Sequence, residues 1–245
     1  MKIYHQNMDY HQNFFVYGHR GVPTILPENT LESFEKAIEL NYDGIELDVV
    51  ITKDEHLLIN HDIDLIQNNK LKKSLISNLN YNQIKEFKIP LLEDILQIIG
   101  HRTKINIEIK NQGKISLKTI YKVIEVLKNI NLIDNIIISS FSPFIIKKSK
   151  EIDDRFPTAW IWGANNTIFF NSFNCVLKYF KPNAIHINYR LVNKKLIKRI
   201  HHRGLKVLAY TVNREDVLRD MINSKVDGIF TDYPQIMKLS KNQAD

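Results

Sequence analysis

Cysteine is almost missing: the chain of 245 residues has one, Cys175. A single thiol excludes an intrachain disulfide, and nothing in the composition asks for an oxidising compartment. Cys175 lies in an apolar stretch, which favours a buried thiol over a nucleophile. Long apolar runs are missing too. None approaches the roughly 18 residues of a membrane span, so stable membrane insertion is not expected. Met1 to Asn13 is polar and lacks the apolar core of a secretory signal, which makes the cytoplasm the expected compartment. No G-x-G-x-x-G follows the first apolar segment, which weighs against a dinucleotide-binding doubly wound sheet. Negative charge is in the minority, with 27 Asp and Glu against 34 Lys and Arg, a net charge of +7. That balance favours anionic partners in general. The basic residues are nevertheless scattered: Lys72-Lys73, Lys147-Lys148, Lys194-Lys195, Arg199 and Arg203 fall in separate segments. They read as solvated helix faces, and no nucleic-acid partner is expected.

What is present is an alternation of strand-like and helix-like segments. Hydrophobic residues make up 44% and charged residues 25% of the chain, as in a globular protein with room for one large domain or two small ones. Phe14–Gly18 reads as a buried strand. A helix follows from about Thr30 to Asn41, with Thr30 placed to cap it and Leu31, Phe34, Ala37 and Ile38 at helical spacing. Asp43–Val50 is strand-like, and Leu57–Ile59 is a short strand leading to His61. Asp62–Ile89 breaks the pattern. It is polar, rich in Asn and Lys and too small for an independent domain, so it reads as an insertion with a helical piece near Tyr81–Phe87. Strands are then predicted at Lys104–Ile109, Asn135–Ser140, Pro157–Ile161, Ala184–Ile187, Leu205–Thr211 and Val226–Thr231, with helices between them. Repeated strand–helix units imply a parallel sheet. Eight of them in about 250 residues fit an α/β fold, the TIM (β/α)8 barrel, with an open doubly wound sheet as the alternative. One domain over residues 1–245 is expected, with a small insertion at about 62–89 after the second strand.

Three clusters carry chemistry: His19-Arg20, Glu46-x-Asp48 and His61-Asp62. Residues i and i+2 of a strand share a face, so Glu46 and Asp48 project together, with Cβ atoms roughly 7 Å apart. The same rule unites Glu108 and Lys110. In a barrel all of these fall at the carboxyl ends of strands, where active sites lie. Carboxylates about 4 Å apart repel by about 4 kcal/mol per pair at an effective dielectric of about 20. A cation removes that penalty, and oxygen-only donors suit Ca²⁺ or Mg²⁺ over Zn²⁺. On the residues alone, an ion-pair network with Arg20 and Lys110 is equally open. His19 and His61 abut strand ends beside the carboxylates and can exchange protons near neutrality. The other histidines, such as His201-His202 on a helix and His5 and His11 in a polar tail, have no such neighbours in sequence. Arg20 offers phosphate oxygens a planar fork and Lys110 a point charge. Glu28 and Asn29 fit loop geometry and substrate contact equally.

The ordered set His19-Arg20-Gly21, Pro27-Glu28-Asn29-Thr30, Glu46-Leu47-Asp48-Val49 and His61-Asp62 resembles the glycerophosphodiester phosphodiesterase family. Glu108-Ile109-Lys110, Ser139-Ser140-Phe141, Thr211-Val212-Asn213 and Thr231-Asp232-Tyr233-Pro234 continue the match, so it spans most of the chain. The resemblance implies a phospholipase-C-like TIM barrel that hydrolyses small-molecule glycerophosphodiesters to glycerol 3-phosphate and an alcohol. It implies one divalent cation, Ca²⁺ or Mg²⁺, on Glu46, Asp48 and Glu108. It makes His19 and His61 the general acid and base, without saying which is which, and puts Arg20 and Lys110 on the phosphate. Tyr210 stands where members often carry Trp before Thr-Val-Asn, which keeps an aromatic wall for the substrate but changes its size and polarity. No Gly follows Asp54, and the insertion lacks the Arg- and Gly-containing pattern common after His-Asp, so lid contacts do not carry over. Two other readings stand beside this one. A related phosphodiesterase acting on lysophospholipids or phosphoinositides would use Ile168–Phe173 as an apolar rim. A phosphate-binding barrel without turnover is disfavoured by the intact His and acid set. Headgroup preference and oligomeric state are not legible in the sequence.

Overall fold

The computed structural model describes residues 14–66, 73–163 and 173–243. The apolar segment Ile168–Asn171, Ser172 and the Cys175 side chain lie outside the described residues. The chain opens with strand β1 (Phe15–Gly18), helix α1 (Leu31–Glu39) and strand β2 (Gly44–Ile51). Thr30 caps α1 as its sequence suggested, its side chain accepting from the Ser33 amide at 3.3 Å. Short strand β3 (Leu57–Ile59) follows, then a hairpin of β4 (Asp64–Ile66) and β5 (Lys73–Leu75). Helix α2 (Tyr81–Ile84) and a single 3₁₀ turn to Phe87 form the expected helical piece. The hairpin is not marked in the sequence, because strands this short show no alternation long enough to read.

After α3 (Leu92–Ile99) the strand–helix alternation is regular. It runs β6 (Lys104–Ile109), α4 (Ile115–Asn129), β7 (Ile136–Ser140), α5 (Pro143–Ile152), β8 (Thr158–Trp162) and α6 (Phe173–Phe180). It continues as β9 (Ala184–Asn188), α7 (Lys194–His201), β10 (Lys206–Tyr210), α8 (Glu215–Asn223), β11 (Gly228–Thr231) and α9 (Pro234–Gln243). Eight parallel strands pair in the order β1-β2-β6-β7-β8-β9-β10-β11, and β11 pairs back to β1 through Gly18↔Thr231. The sheet is therefore closed, and the open doubly wound alternative is ruled out.

Strand alternation decides what fills the barrel and what covers it. Ile45, Leu47 and Val49 of β2 and Ile105, Ile107 and Ile109 of β6 join the core between barrel and helices. The alternate positions form a separate inner cluster of Phe15, Tyr17, Ile137, Ala159, Ala184, Leu208 and Phe230. Both faces of each strand are thus buried, as parallel sheets require. Gly44 is needed beside this plug, since a Cβ there would lie 2.4 Å from the Tyr17 ring. The inner positions of β2 and β6 nearer the carboxyl end are Glu46, Asp48 and Glu108, so the apolar plug gives way to charge towards that mouth.

Strand β3 is not part of the barrel. It runs antiparallel to the overhanging end of β2, with Val49↔Ile59 in register. The Asn60 amide continues this ladder by donating to the Asp48 carbonyl at 3.0 Å. The chain therefore climbs past the rim on β2 and doubles back, which returns His61 to the level of Asp48.

Candidate active site

Several segments converge on the mouth, beginning with the turn after β1. Gly21 adopts φ +89°, and a Cβ there would lie 2.4 Å from Ser33 Oγ, so only glycine lets the turn pack on α1. Ser33 Oγ accepts from the Val22 amide at 2.8 Å and ties the turn to the helix. Arg20 is held with φ 57° and Asn29 with φ 58°, a left-handed conformation that side chains other than glycine seldom adopt.

These turns grip the acids. Asn29 clasps Asp48 from both sides: its Nδ2 donates to Asp48 Oδ2 at 3.0 Å, and its Oδ1 accepts from the Asp48 amide at 3.3 Å. The Arg20 amide donates to Glu46 Oε2 at 2.9 Å. Arg20 Nη1 donates to both carboxylate oxygens of Glu28, at 3.0 and 3.1 Å, and Arg20 Nε stands 3.2 Å from Asp48 Oδ2, an ion pair without hydrogen-bond alignment. Lys110 Nζ donates to Asp48 Oδ1 at 2.9 Å and to Glu108 Oε1 at 2.8 Å. Glu28 and Asn29 therefore serve the site by holding Arg20 and Asp48.

Glu46, Asp48 and Glu108 each present an oxygen within 4.8 Å of the others. Burial, reinforced by the neighbouring Asp48 charge, pushes Glu46 up to about 8. Burial also raises Glu108, although Lys110 opposes the shift. Asp48 stays below its ordinary value despite burial, because Lys110 and Arg20 stabilise its charge. Two cations thus satisfy one acid well and leave Glu46 short of positive charge. The donor set suits a hard divalent ion, which all three acids fit as oxygen ligands.

The histidines lie beside this cluster. His19 Nδ1–H donates to Asp232 Oδ1 at 2.7 Å, leaving Nε2 as its other functional nitrogen. Burial works against a charge on His19, but the hydrogen bond to Asp232 and the charge of Glu46 outweigh it and raise its pKa. Asp232 is itself held: Asn213 Nδ2 donates to its Oδ2 at 2.5 Å, and Asn213 Oδ1 accepts from its amide at 3.0 Å. Those bonds and His19 keep Asp232 ionised although burial disfavours it. Sequence reasoning noted Thr211-Val212-Asn213 and Thr231-Asp232 as motifs but gave neither Asn213 nor Asp232 a task. The signal that marks them is a half-buried polar pair at the ends of β10 and β11, beside β1 in a closed barrel. His61 is more exposed, its Nδ1 donating to Asp62 Oδ1 at 2.8 Å. It lies close enough to Glu108 for the two side chains to interact through their charges. A cleft of about 230 Å³ opens beside it, lined in part by Glu28, Asn60, Asp62, Phe87 and Lys88. Tyr210 stands edge-on to Phe141 at 6.3 Å, and burial followed by the Glu108 charge keeps its phenol protonated.

Comparison with known proteins fits this geometry. The model of the glycerophosphoryl diester phosphodiesterase family matches residues 19–236. The chain belongs to that family. This phosphodiesterase is 30% identical over 236 residues to the uncharacterized protein YqiK of Bacillus subtilis, covering 90% of this chain and 95% of that one. It is 28% identical to the glycerophosphodiester phosphodiesterase of Caldanaerobacter subterraneus, covering 91% and 95%. Its fold superposes with a TM-score of 0.80 on an Oleispira antarctica phosphodiesterase in complex with the product sn-glycerol-3-phosphate, at 24% identity and with 93% and 96% of the two chains covered. A Parabacteroides distasonis glycerophosphodiester phosphodiesterase matches with a TM-score of 0.82 at 22% identity, covering 96% and 99%. The phosphodiesterase is thus a TIM-barrel hydrolase of phosphoric diesters. No described helix is long and apolar enough to cross a membrane.

Proposed function

We propose that the phosphodiesterase hydrolyses glycerophosphodiesters to glycerol 3-phosphate and an alcohol, with His19 and His61 as its acid–base pair and Glu46, Asp48 and Glu108 as ligands of one divalent cation. The observation that carries this reading is three converging carboxylates with two histidines beside them, His19 near Glu46 and His61 near Glu108. When bound, the cation supplies positive charge to phosphoryl and glycerol oxygens.

The remaining tasks belong to the chain. Arg20 and Lys110 bring fixed positive charge to the non-bridging phosphate oxygens, where negative charge gathers as the diester reacts. One histidine accepts the proton of the attacking nucleophile, and the other donates a proton to the departing alkoxide. The new P–O bond forms as the ester P–O bond to the alcohol breaks, so one water is consumed per turnover. Asp232 holds His19 in one tautomer through Nδ1 and is a positioning residue. Tyr210 and Phe141 wall one side of the mouth. The barrel acts as one catalytic domain, and Asp62, Phe87, Lys88 and Ile89 border the alcohol side through the cleft at His61. The glycerol 3-phosphate held by the Oleispira antarctica phosphodiesterase supports this choice of product.

The test is product analysis with glycerophosphocholine. Equal amounts of choline and glycerol 3-phosphate are expected with Mg²⁺ or Ca²⁺, and excess chelator should stop the reaction until metal is returned. Phosphocholine and glycerol would show that the other ester bond is cut. Full turnover in chelator by protein free of bound metal would remove the cation from the mechanism.

A further inference from the structure

Exposed apolar side chains are unevenly placed on this molecule. Ten large ones are exposed among the described residues; five of these follow the carboxyl ends of barrel strands, Ile25, Leu117, Phe141, Phe144 and Tyr233, and a sixth, Phe87, lines the cleft at His61. Single apolar residues on a surface are ordinary, but a concentration around one opening marks a contact face. Its densest sector is the groove between α4 and α5, a cavity of about 530 Å³ with Leu117, Phe144 and Ile145 among its lining. Phe144 is 67% exposed although it sits in the first turn of α5. Phe141, just before that helix, meets Tyr210 and links the groove to the wall of the active site.

The charge of this sector narrows the choice of partner. The groove carries Lys114, Lys147 and Lys148 against one carboxylate, Glu151. A second copy of the chain docked on the same face would set lysines against lysines, in a protein already at net charge +7. An anionic lipid surface matches both features. Apolar tips enter the boundary of headgroups and acyl chains, while lysine stems lie along apolar surface with the ammonium in the anionic layer.

We infer that the α4–α5 edge of the barrel mouth docks peripherally on an anionic lipid surface, with Phe144 and Leu117 at headgroup depth and Lys114 and Lys147 on lipid phosphates. The contact involves no spanning segment, and it sets the mouth of the barrel beside the bilayer. The inference rests on the surface and the fold, and it is independent of the catalytic roles proposed above.

Co-sedimentation of the whole chain with vesicles tests it. Binding is expected to phosphatidylcholine vesicles containing phosphatidylglycerol, with little to phosphatidylcholine alone, and raising salt to about 0.5 M should weaken it. Lys147→Glu should weaken binding by more than the roughly fivefold expected for losing one lysine near such a surface. Phe144→Asp should weaken it as well. Both variants should keep wild-type turnover of soluble glycerophosphocholine, which confirms that they fold. Absence of binding to anionic vesicles, or equal binding by wild type and both variants, overturns the inference. So does light scattering that shows a dimer in the wild type and a monomer in Phe144→Asp, with vesicle binding unchanged.

Discussion

His19 and Asp232 are 213 positions apart in the sequence and 2.7 Å apart in the fold. Their hydrogen bond exists because β11 pairs with β1 and closes the barrel, so the residue after Gly18 meets the residue after Thr231. Asn213 holds the far oxygen of Asp232, which turns the pair into a chain of three residues aimed at the acids.

Asp232→Asn should lower kcat, because the amide can hold His19 in the wrong tautomer. It should also remove the interaction that raises His19. Whichever limb of the pH–rate profile belongs to His19 then moves to lower pH, and the identity of that limb assigns His19 as base or acid. An unmoved profile with reduced kcat would mean that Asp232 is merely structural.

His19→Ala and His61→Ala should each reduce kcat by about 10² to 10⁴. The double variant should fall short of the product of the two losses, since both act in one proton-transfer cycle. Near wild-type kcat in either single variant removes that residue from the cycle.

In the proposed cation site, Glu46 would link metal binding to stability. In the metal-free protein it holds its proton up to about 8, whereas the unfolded chain releases it near 4.5. Its contribution is present below 4.5 and is lost as pH rises towards 8. Thermal unfolding of the metal-free protein should therefore fall in Tm over this range, and saturating Ca²⁺ or Mg²⁺ should abolish the fall. Glu46→Gln should flatten the profile without metal, lose the metal-induced rise in Tm, and abolish turnover. A wild-type profile for this variant would contradict the assignment.

His186 predicts the opposite slope. It lies inside the barrel against Phe230, at 4.8 Å between rings, and its Nε2 has no hydrogen-bond partner among the described residues. Burial pushes it from 6.5 down to about 3. The unfolded chain binds a proton near 6.5 that the native protein refuses, so stability is present above 6.5 and is lost as pH falls towards 3. The loss should approach about 1.4 kcal/mol per pH unit. His186→Leu should remove that part of the slope, as read by urea unfolding between these limits. An unchanged slope would show that His186 is not the group that titrates.

The cleft beside His61, proposed above as the alcohol side, is lined by exposed Phe87 and Lys88 and is loosely built. Glycerophosphodiesters with different headgroups should differ in kcat/KM by less than about tenfold, whereas a diester without glycerol hydroxyls should lose about 10² or more. Equal kcat/KM for a plain aryl phosphodiester and glycerophosphocholine would show that glycerol is not read.

The sequence by itself determined the strand–helix alternation, the cap at Thr30, and the shared faces of Glu46 with Asp48 and Glu108 with Lys110. These follow from periodicities of two and of 3.6 residues, which operate within a few positions. Whether the strands closed into a barrel, whether His61 came back beside the acids, and what held His19 were decided only in three dimensions. The return of His61 depends on the antiparallel register Val49↔Ile59. The clasp of Asn29 on Asp48 joins a loop to a strand, and Asp232 reaches His19 across the seam of the barrel. Local patterning carries no record of such pairings, because each is fixed by burying both faces of a closed sheet, a condition that involves the whole chain at once.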